Sequence, residues 1–453
     1  MSVKFIHCSD LHLGRQRLGG NLPDSDLKAA FQYIVTYTLE QQADALLIAG
    51  DIFDSPNIQP PCLHQATECL KPLQQAGVPV FAIEGNHDRA TISGDSPTWV
   101  RYLNDIGLLH LLSIPFNAAG PVITPWDPQT RAGSYIDFKG IRLVGAGYLG
   151  AGTIKRAKLI AEQMAAWQQE SSPGAVVMLL HAGPDYMVQE GGGFAKESLE
   201  FLKESVDYLA LGHIHKPMIY EGWAINPGSP EHIRLEESRY DSKPRGLAVV
   251  EIDPQADNPL QRAEILAVPK RQVLTLHYDC TPHSNRTKRA MELISEEITV
   301  KLKELGVGPE AAIRLELTGS VNLGRIRLDT AALAECLVQQ VPVKAVEVNS
   351  AGLKLATNAT DSELASVEAT SREDLELLAI HGLVADKPLP GLEEQVESLA
   401  RLFYLFKEDV RHHASAQEIR ERLTGSDLVD RLVAEEMNKL PIRSVAAAKD
   451  GEA

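Results

Sequence analysis

Ala45-Leu46-Leu47-Ile48-Ala49-Gly50-Asp51-Ile52-Phe53-Asp54 is the stretch whose reading decides the fold. The apolar run is short and continuous rather than alternating, which suits a strand buried on both faces. It stops at a Gly-Asp pair, so a carboxylate stands where the strand gives way to a loop. The same grammar recurs outward along the chain: Val3–Ile6 precedes Asp10, and Val78–Ile83 precedes Asn86 and His87. Val176–Leu180 precedes His181, and Tyr208–Leu211 precedes His213 and His215. Helix-like stretches lie between these runs at Leu27–Gln42, Leu63–Gln75 and Thr153–Gln169. An α/β sandwich with its polar groups gathered at strand ends is the expected architecture.

Composition sets the outer limits. The 453 residues, 44% hydrophobic and 23% charged, suit a globular chain of two or three domains. No apolar run approaches the ~18–20 residues of a membrane span, and the start MSVKFIHCSD lacks the pattern of a signal peptide. The five cysteines are scattered, without a CxxC pair, which favours free thiols and a cytoplasmic location. A net charge of −17 opposes nucleic-acid binding, which needs Lys and Arg against phosphate. Residues 357–453 hold 20 acidic and 11 basic side chains, leaving −8 on the first 356. Charge alone therefore neither supports nor excludes DNA.

The remainder of the chain divides by texture. Gly222–Pro230 reads as a strand and tight turn, and Gly246–Ile252 as a strand, closing a first domain over residues 1–269. Residues 270–356 read as a small α/β domain: strand Val273–Tyr278, helix Thr287–Leu305, strand Ala312–Leu317, helix Thr330–Gln340, strand Val343–Val348. A polar linker over 357–370 leads into a helical C-terminal region, 371–453, with helix-start boxes at Ser371-x-x-Asp374 and Ser415-x-x-Glu418. Leu392, Val396, Leu399, Phe403, Phe406 and Val410 form one apolar stripe; Ile419, Leu423, Val429, Leu432, Val433 and Met437 form another. The stripes suit either packing within the chain or a dock for a partner's helices.

The strand-end residues spell Asp10-x-His12, Gly50-Asp51-x-x-Asp54, Gly85-Asn86-His87-Asp88, His181-Ala-Gly and Gly212-His213-x-His215. Each alone is weak, since a lone histidine is more often a satisfied core residue. Core packing does not explain the ordered set. Mixed oxygen and imidazole donors without thiolate suit a pair of Mn²⁺-like ions. Two such ions ~3.5–4 Å apart need a shared anion, for which Asp51 is the candidate. His87, beside a ligand, is placed to serve the leaving group as an acid, with Asp88 expected to orient it.

The strings FIHCSDLHLGR, LLIAGDIFD, AIEGNHDR, LALGHIHKP and INPGSPEH resemble the calcineurin-like metallophosphoesterase superfamily, in particular its SbcD-type branch. The resemblance is strong over residues 3–235, and the pieces most particular to the branch are His215-Lys-Pro and Asn226-Pro-Gly-Ser-Pro-Glu. It implies an αββα sandwich, a capping role for the small α/β domain and a helical C-terminal tail that docks on an ATPase. It also implies one ion held by Asp51, Asn86, His181 and His213, and another held by Asp10, His12, Asp51 and His215. His87 would act at the transition state. Asp54 stands where some members have a second histidine, and is assigned no ligand role. The implied activity is Mn²⁺-dependent exonuclease and endonuclease cutting of DNA, by a homodimer working with an SMC-like coiled-coil ATPase of the SbcC type. The helical stretches near Leu63–Gln75 and Pro97–Leu109 are candidates for the dimer contact.

Other readings stay open beside this one. The same metal set would serve a phosphoesterase acting on a nucleotide, cyclic nucleotide or phosphoprotein, although such an enzyme does not need the second domain and tail. A DNA-end tethering scaffold for the ATPase is a third possibility, against which the full ligand set argues. Gly145–Gly150 matches GxGxxG, but no acidic residue ends a following strand as a dinucleotide site requires. Gly191–Gly193 lacks a following Lys-Ser/Thr. Arg15, Arg17, Arg89, Lys216, Arg234 and Arg239 are candidate phosphate contacts.

Overall fold

The computed structural model describes residues 2–89, 97–168, 173–184, 193–194, 196–283, 290–321 and 328–355, then 376–377, 380–381, 384 and 396–411. Ala45–Ala49 is a strand, and its residues sort by parity because successive side chains in a strand face opposite ways. Leu46 and Ile48 join a core shared with the helices Ser25–Glu40 and Pro60–Gln75. Ala45, Leu47 and Ala49 face the other way, into a core shared with a second sheet. Ala175–His181 mirrors this. Ala175, Val177 and Leu179 enter the shared core, whereas Val176, Met178 and Leu180 meet residues of the helix Thr153–Gln168. Two sheets thus pack face to face with helices outside each, an αββα sandwich.

The first six-stranded sheet runs in the order Leu260–Ala267, Gly246–Ile252, Val3–Cys8, Ala45–Ala49, Val80–Ile83, His110–Leu111. The second runs Met218–Tyr220, Ala224–Asn226, Tyr208–Gly212, Ala175–His181, Ile141–Tyr148, Tyr135–Phe138. The central strands of each are parallel, so their C-terminal ends, where the polar motifs follow, lie on one edge of the sandwich. Fully buried Phe5, Phe81, Leu143, Val177 and Ile225 fill the space between sheets. At ~1.5–3 kcal/mol per large apolar side chain, this layer is a main source of stability.

A third sheet, Val273–Asp279, Ala312–Val321 and Ala345–Leu355, is parallel throughout. The helices Ala290–Glu304 and Thr330–Gln340 bury Ile294, Ile298, Leu302, Leu333 and Leu337 against Ile313, Leu315 and Leu317 on one of its faces. Contacts divide the chain once, after Thr357, and leave this sheet in the same compact unit as the sandwich. The reason lies at the join. Leu22 and Leu235 of the sandwich bury against Ala312 and Ala345, and Arg271 bonds both Asp26 and Glu310.

The second unit, Asn358–Ala453, is described in part. Its helix Val396–Arg411 buries Leu399 with Val384, while Phe403 is exposed. The expected linker over 357–370, both helix-start boxes and the stripe from Ile419 onward lie outside the described residues. Among the described residues no helix is long and apolar enough to cross a membrane.

Candidate metal centre

The five strand-end motifs meet at the shared edge. Asp51 sits at the centre, with one carboxylate oxygen 3.2 Å from His181 Nε2 and 3.7 Å from His12 Nε2. On one side Asn86 Oδ1 lies 3.1 Å from His181 Nε2 and 2.9 Å from His213 Nδ1. On the other, the Nε2 atoms of His12 and His215 face each other at 3.1 Å, grouped with Asp10. All seven sequence-predicted ligands are therefore in one cluster, and Asp10, His12, Asp51 and His181 are buried.

Backbone conformation makes the convergence possible. Asp10, His12, Asp51 and His213 have φ of 55°, 45°, 53° and 90°, in the left-handed region that side-chain-bearing residues rarely adopt. Such residues cost about 1–3 kcal/mol each and persist where surroundings over-determine them. The surroundings do so here: Asp10 N–H donates to Gly50 O at 3.1 Å, His12 N–H to Asp51 O at 3.1 Å, and His213 N–H to the Asp10 carboxylate at 3.0 Å. Gly50 and Gly85 are required by crowding. A Cβ on Gly50 would lie 2.3 Å from His181 Nδ1, and one on Gly85 would lie 2.0 Å from Asp51 Oδ1.

The outer partners of the imidazoles fix their tautomers. His181 Nδ1–H donates to Ala49 O at 2.7 Å, His12 Nδ1–H to Asp54 at 3.1 Å and His215 Nδ1–H to Glu237 at 2.7 Å. Each inner Nε2 then presents a lone pair whenever its ring is neutral. Those of His12 and His215 point at one another, and that of His181 points at the oxygens of Asp51 and Asn86. Acceptors facing acceptors at this range repel unless positive charge lies between them. The electrostatics agree. Burial opposes ionisation of Asp51, yet His181, then His12 and His87, hold its carboxyl well below the usual carboxylate range. Burial likewise opposes charge on His181, and Asp51 nevertheless carries it up to about 9, so without a metal ion the positive charge facing these oxygens is a proton on Nε2 that a cation would replace. Carboxylate, imidazole and amide-oxygen donors without thiolate are the set that divalent ions such as Mn²⁺ accept, so the residues fit a metal pair.

Other candidate residues fall in different places. His87 donates Nδ1–H to Asp54 O at 2.8 Å, leaving Nε2 as its available nitrogen, and its ring lies 4.7 Å from that of His12. Asp88 does not orient His87, contrary to the sequence expectation. Its carboxylate turns inward and accepts from the N–H groups of Gly85 at 2.9 Å and Phe53 at 3.0 Å, tying the two metal loops together. Burial, then the charge of Asp51, pushes the Asp88 carboxyl up to about 7. Arg17 is likewise no phosphate contact. It is buried, 2.5 Å from Asp26 and 3.5 Å from Glu231. Arg89 bonds Glu84 and Tyr148 O, whereas Arg234 and Arg239 are exposed. Sequence reading missed Glu237 and the pairing of Asp54 with His12. Asp54 carried a weak signal in its Gly-Asp-x-x-Asp setting, and Glu237 carried none.

Residues 3–217 match the family model described as calcineurin-like phosphoesterase. They are a calcineurin-like metallophosphoesterase domain. Proteins of this family use dinuclear divalent metal centres, and the seven clustered donors are this domain's candidates. The chain is 32% identical over 248 residues to the DNA double-strand break repair protein Mre11 of Archaeoglobus fulgidus, covering 52% of each chain. It is 26% identical over 283 residues to Mre11 of Aeropyrum pernix, covering 61% of this chain and 63% of that one. Mre11 of Methanopyrus kandleri is 26% identical over 262 residues, with 55% and 54% covered. The chain thus spans between about half and two thirds of the length of these curated relatives.

Proposed function

We propose that this protein is a Mn²⁺-dependent DNA exonuclease and endonuclease, the nuclease subunit of an SbcCD-like repair complex. The observation that carries the reading is the set of inward-facing imidazole lone pairs and carboxylates around Asp51. Asp51 would bridge two ions, with Asn86, His181 and His213 on one and Asp10, His12 and His215 on the other. When bound, the pair supplies the positive charge that makes a water nucleophilic at neutral pH and offsets charge on the phosphodiester. The protein's own part is geometric. The loops, knitted by Asp88 and strained at four ligands, hold the donors before substrate arrives. His87, with Nδ1–H anchored on Asp54 O, would as an imidazolium donate its Nε2 proton to the departing 3′ oxygen and be left neutral.

The relatives named for DNA double-strand break repair favour DNA as the substrate. In this reading the α/β unit of residues 270–356 caps the cleft, and the helical region from 371 docks on an SMC-like coiled-coil ATPase. Two copies would pair through the stretches near Leu63–Gln75 and Pro97–Leu109, in the second of which Tyr102 and Ile106 are exposed. The test is Mn²⁺-dependent cutting of linear duplex and hairpin DNA, wild type against His87→Ala. The variant should cut about 10²–10⁴-fold more slowly while binding Mn²⁺ as before. Intact DNA with the wild type, alone and with its ATPase, would overturn the proposal.

A further inference from the structure

His215 is held by a collar that the reaction does not use. Its ring nitrogen Nδ1 donates to Glu237 at 2.7 Å, and Glu237 is buried on the helical turn Leu235–Tyr240. That carboxylate also accepts from Ser229 Oγ at 3.2 Å and Ile233 N at 3.1 Å, and lies 3.6 Å from the guanidinium of fully buried Arg245. The backbone on either side of His215 is clamped too. Asn226 Nδ2 donates to Ile214 O at 2.6 Å and to Lys216 O at 2.8 Å, and Ser229 N–H donates to His215 O at 3.2 Å. Gly228 has φ +74°, and a Cβ there would come within 2.6 Å of His215 O. The sequence Asn226-Pro-Gly-Ser-Pro is thus shaped to the chain around one histidine. The opposite face of the 235–240 turn meets the small α/β unit. Leu235 buries against Ala312 and Ala345, and Glu236 lies 3.7 Å from Arg314.

We propose that Glu237 is a positioning residue that fixes the ring of His215 for its metal ion, and that its turn is the strut through which the small α/β unit braces that side of the centre. The inference rests on the two-metal reading of the site. A carboxylate on the outer nitrogen of a ligating histidine sets its tautomer and orientation, and losing one weakens metal binding by about 10–100-fold.

The test is calorimetric titration of the metal-free full chain with Mn²⁺, together with electron paramagnetic resonance of the bound ions. Wild type is expected to take two ions, magnetically coupled. Glu237→Gln should lose about 10–100-fold in affinity for one ion only, and at limiting Mn²⁺ give the signal of a single uncoupled ion. Arg314→Ala should move the same ion in the same direction by up to about tenfold, the smallest of the outer-partner effects. Should the single variant unfold, Glu237→Asp keeps a charge beside Arg245, which Asp241 also pairs at 3.2 Å, while withdrawing the carboxylate from His215 Nδ1, and gives the same reading. A general structural defect would weaken both ions alike, and that result, or unchanged affinity for both, overturns the proposal. Wild type that binds fewer than two ions overturns the site reading itself.

Discussion

The two sides of the candidate centre are oriented by different means. His181 leans on a backbone carbonyl, that of Ala49, and its neighbourhood is closed by glycines that admit no Cβ. His12 and His215 lean on side-chain carboxylates, Asp54 and Glu237, each with a basic group behind it: Arg15 at 3.3 Å and Arg245 at 3.6 Å. A carbonyl at the end of a fully buried strand moves only if the sheet moves. A carboxylate can be altered without disturbing the ladder. One side is thus as rigid as the core, and the other is open to adjustment by residues far along the chain.

Substitutions can break or sharpen this contrast. The largest effect should come from Asp51→Ala, which removes the group common to both sides. Binding of both ions and all phosphodiester cleavage should be abolished, and retention of one tightly bound ion would show that the sides do not share it. Gly50→Ala should strike the backbone-held side harder. The added Cβ collides with His181 Nδ1 at a positive φ, so unfolding free energy should fall by about 1–3 kcal/mol. Calorimetry should find the His181 ion weakened more than the His215 ion, and equal weakening would erase the contrast.

Beneath both sides, between the strands that lead to Asp10 and to His213, lies a buried histidine that should reveal itself through pH. Leu211 O can only accept, so His7 Nε2 carries the hydrogen at 3.1 Å, and Nδ1 accepts from Tyr208 O–H at 2.9 Å. Burial, only partly offset by the Leu211 carbonyl, brings the His7 pKa down to about 3. Between the unfolded value near 6.5 and that figure, the unfolded chain binds a proton that the folded chain refuses. Stability should therefore fall as pH drops through that window, by up to about 1.4 kcal/mol per pH unit. Urea unfolding of chelated protein should show this slope, and His7→Gln should flatten it. An unchanged slope would assign the acid sensitivity elsewhere. The smallest effect belongs to Asp54→Asn, which keeps an acceptor for His12 but loses the charge. About tenfold weaker binding of the His12 ion is expected, and no change would mean that the hydrogen bond alone suffices.

The seven candidate ligands were legible because each follows a continuous apolar run, and buried strands must end where polar loops begin. The parallel order of those strands sends every motif to one edge, which is why the reading of residue types carried over to a cluster in space. The same logic failed at Asp88. Its place after His87 suggested a partnership in sequence, whereas its carboxylate is taken up by the buried N–H donors of Phe53 and Gly85. It failed at Arg17 for a similar reason, since a cation near a motif looks like a phosphate contact until Asp26 and Glu231 enclose it. The hairpin strand Met218–Tyr220 and the edge strand Leu260–Ala267 were also not anticipated. Both are partly exposed edges with little apolar patterning.

What the sequence by itself determined is the chemistry: which donors are present, and that buried parallel strands deliver them to one place. That information is local, because apolar periodicity and a polar stop are properties of a few consecutive residues. What only the tertiary structure decided is orientation. Asp54 is 42 residues from His12, Ala49 is 132 from His181, and Glu237 is 22 from His215. Which nitrogen of each imidazole faces inward depends on an outer hydrogen bond to a group that only the packing of separate elements brings within reach.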